Sequence, residues 1–388
     1  MLVPFTYNFR SLLVRRSATL LTVLGIGATV AVVAGVLALQ QGFSRLYADA
    51  GREDVAVFLR PGATGEGDSV FSRDRGLRLV RNMPEAATDE NGQPIAGMEC
   101  YLAVRRFRLD GGETNVPIRG VQPPTFTIHG DGLRILEGRN FDPGADEVII
   151  GSSLQGRIRG CDLGEVLRIN TTPFKVVGVF ESDGPYGSEI WGDLDRMLTA
   201  LERYGPNRVI AQLPEGESID ALAARLENDK EVPAKVLTEQ DYLAAQTEML
   251  SAVLIFLSGF LGIVMGVAAI FTATTTMLAA LAARTHEIGI LLSTGFRPFP
   301  IFLSFLFEAL LLGLLGGAAG CLMILPINGI ETGTTNFQTF TEVAFSFRVT
   351  PTVLISAVVF ALVLGLLGGA WPALRAARMK PVDALGRR

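Results

Sequence analysis

Few residues of this 388-residue chain have the types and spacing that catalysis or metal binding requires. None of its lysines follows a glycine, so the sequence has no GxxxxGK[ST] loop to cradle nucleotide phosphates. The two histidines, His129 and His286, have no nucleophile motif around them, and the cysteines lack zinc-like spacing. The sequence therefore predicts no catalytic residue, metal or cofactor in this chain, and it assigns ATP and magnesium, if used, to another chain.

The three cysteines leave one alternative open. Cys321 lies in an apolar run, whereas Cys100 and Cys161 lie in one long polar segment and could pair in an oxidising compartment. Because neither spacing nor context demands a bridge, unpaired structural cysteines are the favoured expectation.

Glu308 is the one acidic residue inside an apolar run, where a carboxylate is costly and is a functional candidate by default. It either anchors the structure, by pairing with Arg284, Arg297 or nearby backbone groups, or it senses and relays motion of its helix. The anchor is the favoured interpretation, since nothing else resembles a proton pathway.

Four apolar blocks predict four membrane spans, each of the roughly 20 residues that a bilayer requires. The chain is 49% hydrophobic with a mean hydropathy of +0.36, which is high for a soluble protein. The predicted spans are residues 17–42, 248–280, 300–327 and 351–374. The predicted fold class is a membrane protein of four transmembrane α-helices, with a large α+β extracytoplasmic domain, residues 43–247, inserted between the first two.

Charge predicts the orientation of these spans, because basic residues favour the cytoplasmic side. With a cytoplasmic N-terminus, the cytoplasmic pieces carry ten basic and two acidic residues, whereas residues 45–248 carry 23 basic and 34 acidic residues. Both termini, the loop 281–299 and the tail 375–388 are therefore expected in the cytoplasm, and the loop 328–350 outside.

The N-terminal segment, residues 1–16, has apolar residues at helical spacing among basic ones. This pattern favours an amphipathic helix in the lipid headgroup layer, with the first turn of the span as the alternative. The following apolar run is longer than the core of a signal peptide, so cleavage is not expected.

The extracytoplasmic segment alternates short β-like and helix-like runs, separated by glycine and proline. The predicted strands cover residues 54–59, 147–151, 165–170, 174–180 and 208–213. The predicted helices cover residues 73–82, 193–204 and 218–229, and a further helix at 238–250 runs directly into the second span. The domain is expected to have two parts, one continuous at about 125–205 and one formed by both flanks.

Three of the spans contain glycines at the spacing that allows helices to approach closely in lipid. Such glycines form either a sliding or dimerising interface, or ordinary packing within one bundle. They are Gly262 and Gly266 in the second span, Gly313, Gly316, Gly317 and Gly320 in the third, and Gly365 and Gly369 in the fourth.

The loop between the second and third spans has an apolar centre between Arg284 and Arg297. One interpretation is that Glu287 to Leu291 dock in a groove of a cytoplasmic partner, with Ile288, Ile290 and Leu291 as apolar anchors. Arg284 and Glu287, three positions apart, would orient the segment, and Gly289 would allow close approach. The alternative is a tight turn resting on the membrane surface.

This loop resembles the E-R-x-x-E-I-G-I-L-x-A-x-G-A loop of MacB/FtsX-type permeases. The matching residues are Arg284, Glu287, Ile288, Gly289, Ile290, Leu291 and Gly295, while Ala283, Thr294 and Phe296 depart from the pattern. Residues 372–385 resemble the family's closing P-A-x-x-A-A-x-x-x-P-x-x-A-L, with Gly386 in place of the usual arginine. Residues 152–180 are similar to the family's outside domain.

The resemblance implies a permease of the bacterial inner membrane without a fused ATPase, which transmits the work of a separate cytoplasmic ABC ATPase to its outside domain. It implies export or extraction of a hydrophobic or lipidated substrate; the alternative is an FtsX-like, non-transporting regulator of a cell-wall hydrolase. The expected partners are the ATPase, a second permease subunit and membrane lipid, with a periplasmic adaptor as a further candidate and no nucleic acid. The seven matching loop residues are expected to couple to the ATPase.

Overall fold

The computed structural model describes residues 16–48, 50–182, 184–214, 216–295, 297–335 and 341–380. Four helices in it are long and apolar enough to cross a membrane, as predicted. They are α1 (Arg16–Ala48), α6 (Glu239–Ala283), α8 (Pro298–Ile324) and α9 (Pro351–Ala377). The predicted helix at 1–16 and the tail beyond 380 lie outside the described residues, apart from Arg16.

The contacts divide the chain into two units. The apolar unit comprises the described parts of Met1–Gln41, Ala252–Ile330 and Ser346–Arg388, and the α/β unit comprises those of Gly42–Ser251 and Glu331–Phe345. Two segments predicted as plain loops contain regular structure. The loop 281–299 holds the helix α7 (Thr285–Ser293), and the loop 328–350 holds a two-stranded sheet of β11 (Glu331–Thr335) and β12 (Glu342–Ser346).

The α/β unit is built on a ten-stranded mixed sheet with the strand order β10-β1-β9-β2-β3-β8-β5-β7-β4, in which β6 also pairs with β7. The strands are β1 (Val55–Leu59), β2 (Ala96–Phe107), β3 (Glu113–Val121), β4 (Leu133–Gly138), β5 (Glu147–Gly151), β6 (Val166–Ile169), β7 (Thr172–Ser182), β8 (Ile190–Asp193), β9 (Arg208–Gln212) and β10 (Lys235–Thr238). The helices are α2 (Arg73–Arg81), α3 (Pro123–His129), α4 (Leu194–Ala200) and α5 (Ile219–Glu227).

All five predicted strands and all three predicted helices of this unit are present, within a few residues at their ends. The largest boundary error is at α4, which ends at Ala200 rather than at residue 204. Glu202 there adopts a positive φ of 53°, a conformation that cannot continue a right-handed helix. The hairpin of β2 and β3 was missed, because arginines interrupt the apolar alternation of β2 and Pro117 interrupts that of β3.

The two parts expected of this domain are the two ends of one sheet: β10, β1 and β9 from the flanks are neighbours at one end of the strand order, and β8, β5, β7 and β4 from the middle are neighbours at the other. Strands from the flanks and from the middle of the segment belong to one hydrogen-bonded path, which β2 and β3 connect through eight residue pairs from Cys100–Gly120 to Phe107–Glu113. One apolar core contains both Phe58 and Ala211 from the flanks and Ile150 and Phe174 from the middle. The long hairpin therefore joins the two parts.

In the apolar unit, the glycines of α8 allow close contact with two neighbouring helices. A Cβ on Gly313 would lie 2.7 Å from the Ala361 carbonyl oxygen of α9, and one on Gly365 would lie 2.6 Å from the Ala309 carbonyl oxygen. On another side of α8, a Cβ on Gly316 would lie 2.6 Å from Ile26 Cγ2 of α1. Separations this short do not occur for real Cβ atoms, so only glycine permits this packing.

The remaining predicted packing glycines differ in how tightly they are enclosed. Cβ atoms on Gly317, Gly320 and Gly369 would also clash with neighbouring helices, at 2.9, 2.7 and 2.1 Å. A Cβ on Gly266 would be tight, 3.1 Å from Leu364 Cδ2, and one on Gly262 would make ordinary contact at 3.5 Å. The glycines of α8 and α9 thus take part in close packing within this chain.

We expect Gly365→Ala to destabilise the helix bundle, since its methyl group would meet a backbone oxygen that cannot move aside; overpacking of this kind typically costs about 1–3 kcal/mol. The control is Gly259→Ala on α6, whose Cβ would have nothing within 4 Å. It should be neutral or slightly stabilising, because alanine favours helix over glycine by about 1 kcal/mol. Thermal unfolding in detergent measures both variants. Equal melting temperatures for the two would contradict the close packing.

Candidate functional site

Helix α7 lies between the two apolar helices α6 and α8 and has one buried and one exposed face. Ile288 is 4% exposed and packs in a core with Met277, Leu281, Ile301 and Phe305. Gly289 beside it is also buried. These contacts hold α7 against the apolar helices of the unit.

A buried ion pair fixes the residue before α7. Arg284 Nη1 donates a hydrogen bond of 3.1 Å to Glu308 Oε2 of α8, and both residues are at most 9% exposed. An unpaired charge in such a place would be strongly destabilising. Of the partners that the sequence left open for Glu308, the structure selects Arg284; Arg297 is exposed at the start of α8.

Two predicted roles in this segment do not fit the structure. Ile288 cannot serve as an anchor for a partner, because it is already enclosed by its own chain. Arg284 does not orient the segment from its surface beside Glu287, because it is buried in its pair with Glu308. Both errors have one cause: the motif gives residue types, whereas the rotation of α7 about its axis decides which of them turn inward.

The exposed face of α7 comprises residues one and two turns apart on the helix. They are His286, Glu287, Ile290 and Ser293, followed by Thr294 at its end. Ile290 is 45% exposed, so it is open to contact from outside the chain. Leu291 is half-buried. This face presents one apolar side chain with a carboxylate and an imidazole beside it.

Gly295 ends this helix in a defined way. Its φ is 91°, a left-handed conformation that glycine adopts without strain. Its N–H donates to the Leu292 carbonyl, and the Thr294 N–H donates to that of Ile290. The glycine of the motif therefore sets the length of α7, and it gives the chain the turn that leads to α8.

A second group of charged residues is buried inside the α/β unit. Arg119 on β3 forms paired hydrogen bonds with both oxygens of Glu66 (2.7 and 2.8 Å) and of Glu189 (2.7 and 2.9 Å). It also donates to Glu99 Oε2 at 3.0 Å, and Arg208 Nε on β9 donates to the same oxygen at 2.7 Å. We call these five residues the ion cluster; each is at most 5% exposed.

Electrostatics inside the ion cluster favour the charged forms. Burial by itself raises the pKa of Glu99, but the charges of Arg208 and Arg119 outweigh it and bring that pKa to about 2. The pKa of Glu66 is likewise lowered, because the same two arginines outweigh the effect of burial. The pKa of Arg119 is raised by Glu189 and Glu66 against an opposing effect of burial. Glu66, Glu99 and Arg119 are therefore ionised at neutral pH.

Helix α6 begins at the edge of this cluster. Its first residue, Glu239, accepts a hydrogen bond of 2.8 Å from the Tyr186 hydroxyl, which in turn accepts one of 3.2 Å from Arg208 Nη2. His129 lies beside them, with Nδ1 at 3.9 Å from Glu239 Oε1, and burial lowers the pKa of His129 from its usual 6.5. These contacts fix the N-terminus of α6 to the centre of the sheet.

The comparisons with known proteins match both units of the chain. Residues 19–229 match the model of the MacB-like periplasmic core domain, and residues 250–381 match that of the FtsX-like permease C-terminal region. The first match alone covers more than half of the chain. The chain belongs to the MacB/FtsX-type permease family.

Curated relatives of this permease include two macrolide export ATP-binding/permease proteins MacB. The chain is 27% identical to the one from Hahella chejuensis over 96% of its own length and 58% of the relative, and 28% identical to MacB 1 from Aeromonas hydrophila over 94% and 57%. The chain thus spans somewhat more than half the length of these relatives.

Two solved structures are also similar to parts of the permease. The periplasmic region of MacB from Actinobacillus actinomycetemcomitans matches 50% of this chain and 92% of that one, with 10% identity and a TM-score of 0.38. The extracellular domain of the transporter YknZ from Gram-positive bacteria matches 47% and 99%, with 17% identity and a TM-score of 0.35.

The sequence did not reveal the ion cluster or the buried position of His129 beside Glu239. Charged residues in a segment of mixed composition are usually exposed, and the five members come from sites spread over more than 140 positions. One signal was present. Arg119 lies within the mostly apolar run Val116–Val121, and Arg208 begins the run Arg208–Leu213. A strand with one face in water would instead alternate apolar and polar residues. Cys100 and Cys161 are free and buried, as the favoured interpretation held, and no group of metal-binding side chains occurs among the described residues.

We expect the single variants Arg284→Met and Glu308→Met each to lower the free energy of unfolding by about 3–5 kcal/mol, because each leaves one buried charge unpaired. The double variant should lose clearly less than the sum of the two, since it removes both charges together. Unfolding by SDS in mixed micelles measures the three variants, with Arg297→Met as the exposed control. Additive losses would show that the ion pair does not hold α7.

We also expect the α/β unit to lose stability as the pH falls. His129 has a lowered pKa in the folded state, so the unfolded chain binds its proton first and stability decreases below about pH 6.5. A second, steeper loss should follow below pH 4.5, where unfolded Glu99 becomes protonated while its folded pKa is about 2.

The measurement is the denaturation midpoint followed by Trp191 fluorescence in a Trp371→Phe background, between about pH 7.5 and 2.5. His129→Phe should flatten the part between pH 7 and 5. His286→Phe, which removes the chain's other histidine from the exposed face of α7, should leave that part unchanged. Stability that is constant or increases from pH 7.5 to 5 would contradict the assignment.

Proposed function

We propose that this permease is the membrane subunit of an ABC transporter, in which an ABC-type ATPase binds the exposed face of α7 from the cytoplasm. The observation that carries the proposal is the geometry of α7. A short helix that belongs to the family motif presents Glu287 and Ile290 outward, while Arg284 and Ile288 fasten it to the apolar helices. A segment held in this way would transmit an applied force rather than yield to it.

In this mechanism α6 carries the motion. It is one continuous helix of 45 residues, about 68 Å at 1.5 Å per residue, with its first turn bonded to Tyr186 and its last turn directly before α7. Movement imposed on α7 would reach the α/β unit, which by the charge distribution lies outside the membrane. No step of ATP chemistry is assigned to residues of this chain.

We infer that this motion drives the export or extraction of an apolar or lipidated cargo in the bacterial inner membrane. The transporter would contain two copies of the permease or a pair of related subunits. The match to the MacB-like periplasmic core domain over 211 residues supports export over the regulation of a cell-wall hydrolase. The names of the curated relatives, which are macrolide exporters, support the same class of cargo. A periplasmic adaptor fits this scheme as a further partner.

The test is Ile290→Asp, in membranes that contain a co-expressed ABC ATPase from the same organism. Burial of an isoleucine contributes roughly 1.5–3 kcal/mol, so its loss should weaken association with the ATPase by about 10-fold or more. The variant should stay folded, because Ile290 is half exposed. Co-purification of the ATPase and stimulation of its activity are the two readouts.

Two controls make this result specific. Phe107→Asp changes an apolar residue of similar exposure (53%) in the α/β unit and should leave the association intact. Ile288→Asp should instead lower the stability of the permease, because its charge would enter the core of the bundle. Association of Ile290→Asp at the wild-type level would remove α7 as the contact with the ATPase.

A further inference from the structure

The α/β unit contains a cavity of about 350 Å³. One wall is the loop 64–68, another is formed by Tyr101, Leu102 and Ala103 of β2, and Tyr242 of α6 completes the lining beside Arg203. Small-molecule sites usually measure about 300–1,000 Å³, so this cavity has the size of a ligand site. The neighbouring cavity at the ion cluster measures only about 20 Å³, which is room for one water molecule.

Arg203 supplies a positive charge to this cavity. No carboxylate of the described residues lies within 4.0 Å of its guanidinium, and its Nε is buried without a hydrogen-bond partner there. The Tyr242 hydroxyl, on a residue 2% exposed, has no partner within the described chain either. Arg203 is itself only half-buried and lines the cavity, so its guanidinium is the positive group that a ligand there would meet.

The two carboxylates at the cavity are both engaged by donors of this chain. Glu66 is bonded through both oxygens to Arg119. Asp68 accepts hydrogen bonds from the backbone N–H groups of Thr64 and Gly65, at 3.1 and 3.0 Å, and from the Thr64 hydroxyl. Arg203 is the basic side chain that lines the cavity.

The packing of the chain does not require glycine at two positions of the loop. Gly65 and Gly67 do not have a positive φ, and a Cβ added to either would meet nothing within 4 Å. Alanine would therefore fit both positions at a lower entropic cost. Close approach of a ligand to the backbone is a role for which glycine is suited.

We propose that this cavity binds a small organic anion, a carboxylate or phosphate on an apolar or aromatic body. The anionic group lies against Arg203, and the body lies along Tyr101, Leu102 and Ala103. Because the binding uses only residues of the α/β unit, it does not depend on the ATPase contact at α7.

The experiment measures binding to the full-length permease in lipid nanodiscs by saturation-transfer NMR, with empty nanodiscs subtracted. The probes are 2-naphthoate, 2-naphthyl phosphate and the uncharged 2-naphthamide. We expect saturable binding of at least one anion in the millimolar range or tighter. The amide should bind about 10-fold more weakly, since it lacks the charge-assisted hydrogen bonds. The ratio of the two anions tells whether the site prefers carboxylate or phosphate.

Three variants locate the binding. Arg203→Gln should weaken the preferred anion by about 10-fold, and Ala103→Trp, which fills the cavity, should abolish binding of every probe. Arg75→Gln removes the same charge from an exposed position on α2 and should change nothing. Absence of saturable binding for both anions, or equal binding in wild type and Ala103→Trp, would overturn the proposal. Ala103→Trp decides the outcome if Arg203→Gln does not fold.

Discussion

The organisation of the α/β unit depends on one constraint: a charge withdrawn from water needs groups of opposite charge and hydrogen bonds around it. Arg119 has all of its donor groups directed at Glu66, Glu99 and Glu189, which come from a loop, from β2 and from the residue before β8. Arg208 adds β9 through Glu99. Apolar contacts tolerate small displacements, whereas these hydrogen bonds do not. With β3, which carries Arg119, the cluster therefore defines the relative positions of five segments, and Tyr186 extends it to the start of α6.

The apolar unit obeys the same constraint with fewer groups. A lone carboxylate among the helices would be costly, and Arg284 removes that cost while it fixes the residue from which α7 begins. The glycines of α8 and α9 act differently: because they lack a side chain, the backbones of neighbouring helices can approach closely. Together they bring the helices close enough for Ile288 to be enclosed. The outward face of α7 is a consequence of how its inward face is held.

These two arrangements give the proposed transport mechanism its physical basis. A force acts over a distance only if the parts that carry it do not deform, and both ends of α6 are close to buried, charge-assisted hydrogen bonds. At one end Tyr186 binds Glu239, and at the other Arg284 follows directly after the helix. The cavity beside Arg203 is a separate feature of the α/β unit. It adds a binding chemistry that neither α7 nor the spans provide.

The sequence by itself determined the four spans, the α/β class of the large domain, most of its strands and helices, and the family motif in the loop after α6. Hydrophobic periodicity and glycine spacing are local properties, and local properties can be seen along a chain. Only the tertiary structure decided that Glu308 pairs with Arg284, that Ile288 turns inward while Ile290 turns outward, and that Arg119 binds three glutamates, two of which it shares with Arg208. A buried charge is stabilised by partners far away in the sequence, and their meeting depends on strand order and helix rotation, which no local pattern specifies.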